Sequence, residues 1–89
     1  MEIIQKSRFL KDIKKIKKQN KKLDKLKNVI ETLVSKKKLP DKLKPHPLIG
    51  DWRPCWDIHI EPDWLLIYYL DKEADQLTLY RTGSHADLF

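Results

Sequence analysis

Apolar residues recur at helical spacing in the first half of the chain and at strand spacing in the second. Phe9, Leu10, Ile13 and Ile16 fall on one helical face, with lysines filling most positions between them. Ser7 stands where an N-cap would stand. The stretch QNKK, residues 19–22, interrupts this pattern. A second set, Leu23, Leu26, Val29, Ile30, Leu33 and Val34, predicts a cleaner helix whose end meets the lysines of SKKK, where positive charge suits the helix dipole. Pro40 forbids its continuation. Ahead of both, EIIQ at residues 2–5 reads as an edge or first strand.

Residues 39–54 are turn-rich, with Pro40, Pro45, Pro47, Gly50 and Pro54. The pattern then changes to strict alternation: Trp56, Ile58 and Ile60 point one way, and Asp57, His59 and Glu61 the other. EPDW makes a turn through Pro62 and Asp63. WLLIYYL is apolar on both sides, as a central strand is, DKEAD supplies a hairpin loop, and QLTLYRT a further strand. Two helices, each apolar along one side, cannot hide those sides against each other alone. The expected fold is therefore α+β: one domain, residues 1–89, with an N-terminal helical hairpin packed on one face of a twisted antiparallel sheet. If Trp56, Ile58 and Ile60 pack beneath the helices, His59 must emerge on the opposite, open face.

A chain of 89 residues supports one modest core. The longest apolar run, Trp64 to Leu70, falls far short of a membrane span. The opening MEIIQKSRFL lacks the apolar core and cleavage site of a secretory signal, and the single Cys55 permits neither an internal disulfide nor a zinc spacing. A cytoplasmic location is expected. Charge is divided unevenly: residues 1–44 carry 16 Lys/Arg against 5 Asp/Glu, a balance of +11, and residues 45–89 carry 3 against 8, a balance of −5, together giving the net +6. A lysine-rich half points to a polyanion partner, held by phosphate neutralisation and counterion release.

The chain has three histidines: His46 in the loop, His59 in mid-strand and His85 beyond the last strand, with Asp63 in the turn after His59. In a meander these positions converge on one edge of the open face. Two chemistries could use them. One is a metal site, for which His and Asp are common ligands, although no local ligand spacing supports it. The other is metal-free RNA cleavage, in which the 2′-hydroxyl attacks its own phosphate. That reaction needs a base for the 2′ proton, an acid for the departing 5′ oxygen and positive charge around the phosphate. Histidine, with an ordinary pKa of about 6.5, serves any of these roles, and it is the 2′-hydroxyl that separates RNA from DNA as substrate. Arg81 is suited to bidentate phosphate binding, and Trp64 and Phe89, near the polar set in sequence, are candidate platforms for splayed bases.

The segments HPLIG, HIEPDWLLIY and RTGSHADLF, in that order between Leu39 and Phe89, resemble the signature segments of the YafQ branch of RelE-like toxins. The resemblance implies a RelE-like fold and a ribosome-dependent endoribonuclease that cuts mRNA in the A site without a metal or other cofactor. It also implies a cognate antitoxin with a ribbon–helix–helix DNA-binding part, so that DNA is met only through that partner. Matched by motif, the family positions are His46, His59, Asp63, His85 and Phe89. Asp63 and His85 are then the leading acid–base pair, and His46 and His59 help hold the phosphate. One departure stands out: relatives often carry a basic residue where this chain has Trp56. Its parity in the strand places it toward the core, so a mild effect is expected. The alternative function is a non-catalytic ribosome- or RNA-binding inhibitor of translation.

Overall fold

The computed structural model describes residues 1–89. Its elements are β1 (Glu2–Gln5), α1 (Ser7–Lys18), α2 (Leu23–Val34), β2 (His46–Pro47), β3 (Trp56–Glu61), β4 (Trp64–Asp71), β5 (Gln76–Gly83) and α3 (His85–Leu88). Short 3-10 turns occupy Asp41–Leu43 and Gly50–Trp52. The sheet order is β1-β5-β4-β3-β2. No helix is long and apolar enough to cross a membrane.

The α+β layering matches expectation, with one correction: the sheet is mixed. β2 to β5 are antiparallel, but β1 lies parallel to β5, pairing Ile3 with Leu77 and Gln5 with Leu79. Periodicity reports which face a strand buries, not the direction of its neighbour, so the reading of an antiparallel sheet had no means of seeing this. The ladder continues into Lys6, whose N–H donates to the Leu79 carbonyl at 3.0 Å. Helix α1 then starts at Ser7 itself. Lys6 occupies the N-cap position and no side chain caps it, so Ser7 is not the cap. Helix α2 ends at Val34, before the lysines; Lys36 takes the left-handed conformation (φ +58°) that breaks the helix.

The helices and sheet share one principal core. Phe9 and Ile16 of α1 and Leu26, Val29 and Leu33 of α2 pack on Ile58, Ile60, Trp64, Leu66, Leu77 and Leu79. The opposite sheet face is not bare. A second small core of Cys55, Leu65, Ile67 and Leu88 joins it, flanked by Leu48, Trp52, Tyr69 and Tyr80. This explains why β4 is apolar on both sides: the helices cover one face, and the 48–55 loop with α3 covers part of the other. Trp56 departs from its expected burial. Ile58 and Ile60 are buried beneath the helices, but Trp56, at the start of the same strand, is 40 % exposed.

Trp64 and Arg81 are structural, which corrects their placement as substrate contacts. Trp64 is fully buried, its indole N–H donates to Thr82 Oγ1 at 2.9 Å, and the Lys21 ammonium lies 5.6 Å from its ring centroid. No base can stack there. Arg81 is buried and forks onto Asp12 of α1, donating from Nε at 2.7 Å and from Nη2 at 3.0 Å. The Thr82 N–H also donates to Asp12, at 3.1 Å. The guanidinium is spent on locking α1 to β5, and the Asp12 carboxylate pushes the Arg81 pKa up further.

Candidate active site

The three histidines arrive from different parts of the chain and meet on the face opposite α1 and α2. β2, only two residues long, pairs His46 with Asp57 of β3. His59 follows two positions along β3, on the same side as Asp57. The rings of His46 and His59 are 6.3 Å apart, and those of His59 and His85 5.6 Å apart, centroid to centroid. Asp63, in the turn between β3 and β4, reaches His85 directly. Of the residues drawn from the sequence, the structure thus brings His46, His59, Asp63, His85 and Phe89 together, and leaves Arg81 and Trp64 inside the protein.

His85 is held firmly for a residue so close to the end of the sequence. α3 begins with a capping box: Ser84 Oγ accepts from the Asp87 N–H, and the Asp87 carboxylate accepts from the Ser84 N–H. Lys15 of α1 donates to the same carboxylate at 2.7 Å, tying α3 to the helical layer. These bonds hold Asp87 down to about 2. Gly83 makes the tight approach possible: its φ is +155°, and a Cβ there would stand 3.2 Å from Asp87 Oδ2 and 3.3 Å from Asp87 Cβ. The glycine, the serine and the aspartate of GSHAD are therefore one device for presenting His85.

Asp63 completes the presentation. Its Oδ1 accepts from the His85 backbone N–H at 3.1 Å and lies 3.0 Å from His85 Nδ1. The backbone N–H first, and then the ring, hold Asp63 below the usual carboxylate range. An ionised carboxylate only accepts, so Nδ1 carries the proton and Nε2 is the free nitrogen. His59 follows the same logic, with Nδ1 3.4 Å from the Pro62 carbonyl. Phe89, 59 % exposed, lies 6.4 Å from the His85 ring and edge-on to Trp52 at 6.2 Å.

One residue of the site was not singled out from the sequence. Asp57 is buried among the histidines, and its Oδ1 makes no hydrogen bond. His46 Nδ1 is only 2.8 Å away but off the line a hydrogen bond requires, and it also faces the Lys44 carbonyl at 3.3 Å. Burial raises the Asp57 pKa, against the pull of His46, His59 and His85. Its signal in the sequence was the alternation that set Asp57 beside His59. Ring nitrogens of His46 and His59 and an Asp57 oxygen lie within 4.8 Å of one another, close enough to converge on one metal ion.

The family model for the bacterial toxin of a type II toxin–antitoxin system, YafQ, matches residues 1–89. The chain belongs to the YafQ family. It is 43% identical over 82 residues to the mRNA interferase toxin YafQ of Escherichia coli, an alignment covering 91% of this chain and 87% of that protein. The E. coli DinJ–YafQ complex contains a chain that superposes with a TM-score of 0.90 at 40% identity, covering 99% of this chain and 97% of that one. A metal-bound toxin from Helicobacter pylori superposes at 0.93 with 36% identity, covering 100% of this chain and 99% of that one. Family membership accords with the segments that carry His46, His59, Asp63 and His85.

Proposed function

We propose that this protein is an mRNA interferase, an endoribonuclease that cuts message in the ribosomal A site by acid–base chemistry on the RNA 2′-hydroxyl. The observation that carries the reading is His85, fixed through Nδ1 by Asp63 with Nε2 free, 5.6 Å from the ring of His59. His85 exchanges a proton with the reacting oxygens, and Asp63 orients it and favours its charged form. His46 and His59 hold the phosphate. Phe89 offers its exposed ring to a base at the cut, a contact worth about 1–3 kcal/mol. The buried Asp57 carboxyl lies where it can draw protons toward the neighbouring imidazoles.

The open geometry supports dependence on the ribosome. The His85 and Asp63 side chains are 55% and 72% exposed, and no lid covers them. Orientation supplies a large share of the barrier reduction in such reactions, and an open face cannot orient a flexible RNA alone. Lysines on α1 and α2 grip ribosomal RNA and bring the histidines to the message. Cleavage of a translated message should be strong, and of the same free RNA weak; equal rates would contradict the reading. Lysine-to-glutamine changes on these helices should reduce the salt dependence of ribosome binding, and an unchanged slope would exclude their role.

The donor set His46, Asp57 and His59 suits a transition-metal ion, and the unpartnered Asp57 oxygen is an acceptor such an ion would satisfy. A bound ion would supply Lewis-acid charge near the phosphate. It would also occupy nitrogens that the metal-free reaction uses, so a chelator should leave cleavage intact; loss of activity on chelation would favour a metal-dependent nuclease. A cognate antitoxin, as DinJ is for E. coli YafQ, neutralises the protein in the cytoplasm and contributes a ribbon–helix–helix part through which the pair meets DNA. Binding to ribosomes with no cut message would instead support the non-catalytic inhibitor.

A further inference from the structure

The face of the sheet away from the histidines carries a groove that the proposed chemistry does not use. It opens beyond the C-terminal end of α2, where the helix stops short of covering the sheet, and has a volume of about 420 Å³. Its floor is apolar: Leu33, Leu39, Tyr68, Leu70 and the exposed indole of Trp56. Its rim is cationic, with Lys36, Lys37, Lys38 and Lys72 set against a single acid, Asp41. Lys36 is partly neutralised by Asp75 at 3.4 Å, whereas Lys37, Lys38 and Lys72 make no ion pair.

Trp56 is the residue that sequence parity assigned to the core. The structure leaves it 40 % exposed because α2 ends before reaching it. A large aromatic exposed on an apolar floor and ringed by unpaired lysines is the chemistry of a peptide-binding groove. Apolar anchors fill the floor, acidic side chains meet the rim, and the buried aromatic supplies most of the affinity.

We infer that this groove is the docking site for an acidic segment of the cognate antitoxin that carries one or two apolar anchor residues. The inference rests on the antitoxin part of the proposed function and adds the surface that the antitoxin occupies. Charge complementarity favours a protein over RNA here. The apolar floor offers little to a sugar–phosphate backbone, and the groove faces away from His46, His59 and His85, so RNA lying in it would not lead to the reacting groups. Antitoxin binding at this groove would leave the histidines uncovered. The antitoxin would then act by blocking approach to the ribosome, not by plugging the site.

The test uses the intact protein and its purified cognate antitoxin. Calorimetric titration of Trp56→Ala and Lys72→Glu should show antitoxin affinity weakened tenfold or more, with cleavage of translated message unchanged in the absence of antitoxin. Hydrogen exchange on the wild-type pair, which needs no variant to fold, should show protection of residues 33–41 and 68–72 on complex formation. Unchanged affinity, or no protection of these segments, overturns the inference. Lower ribosome affinity with unchanged antitoxin affinity also overturns it and makes the groove an RNA contact. Failure of the wild-type protein to cut message would count against the nuclease reading alone, because affinity and protection are measured without cleavage.

Discussion

Replacing Asp12 by alanine tests whether Arg81 is scaffold or substrate contact. Asp12 accepts three hydrogen bonds, from Arg81 Nε at 2.7 Å, Arg81 Nη2 at 3.0 Å and the Thr82 N–H at 3.1 Å, in a setting where both side chains are only 11% exposed. Removing one partner of a buried pair strands the other charge and costs about 3–5 kcal/mol. A domain of 89 residues has a total stability of about 4–13 kcal/mol. At about 4–8 °C per kcal/mol for a domain of this size, Asp12→Ala should lower Tm by at least roughly 12 °C, and it brings a weaker protein close to unfolding. Arg81→Met should destabilise by a comparable amount, since it leaves the carboxylate buried. Asp12→Leu combined with Arg81→Met removes both charges and should recover part of the loss, with the Thr82 N–H as the residual cost. Thermal unfolding followed by circular dichroism measures all four proteins. If Arg81→Met kept its Tm within about 2 °C of wild type and yet abolished cleavage, the arginine would be a substrate contact and the reasoning from burial would fail.

Other substitutions separate the site's roles. Asp57→Asn should raise stability at pH 7: burial lifts the folded carboxyl's pKa above its unfolded value, so the ionised form works against folding above that pKa. The same change should slow cleavage, and a fall in Tm together with full activity would contradict both statements. Asp87, held at about 2, contributes stability above its ordinary unfolded pKa that disappears as pH falls from about 4 toward 2. Urea midpoints of wild type and Asp87→Asn should therefore converge across that window; parallel profiles would show that the capping box and Lys15 do not hold the carboxylate. Phe89→Ala should raise KM for translated message roughly five- to 150-fold, the equivalent of about 1–3 kcal/mol of stacking, with Tm little changed. An unaltered KM would remove the ring from the substrate site.

Local rules made much of this architecture readable. The period of Phe9, Ile13 and Ile16, the alternation from Trp56 to Glu61 and the two-sided apolarity of β4 each follow from what one element must bury, and the three signature segments fixed the family. The misreadings share a different cause. Arg81 looks like a phosphate ligand beside His85, but whether a guanidinium is free depends on Asp12, 69 residues away, which no local pattern reveals. Trp64 neighbours Asp63 in sequence and faces the opposite way in the strand. The parallel pairing of β1 and the exposure of Trp56 depend on how far α1 and α2 reach across the sheet. Asp57 escaped notice because strand alternation marks a side, not the missing hydrogen bond that makes the residue unusual.

The central claim is that the His85 ring, held by Asp63, moves the proton in message cleavage. Primer extension on message translated in the presence of wild type, His85→Ala or Asp63→Asn tests it most directly, with ribosome binding measured for each protein. The account predicts defined cuts with wild type, none with His85→Ala and weak cuts with Asp63→Asn, while all three bind ribosomes equally. Wild-type cutting by His85→Ala would contradict it.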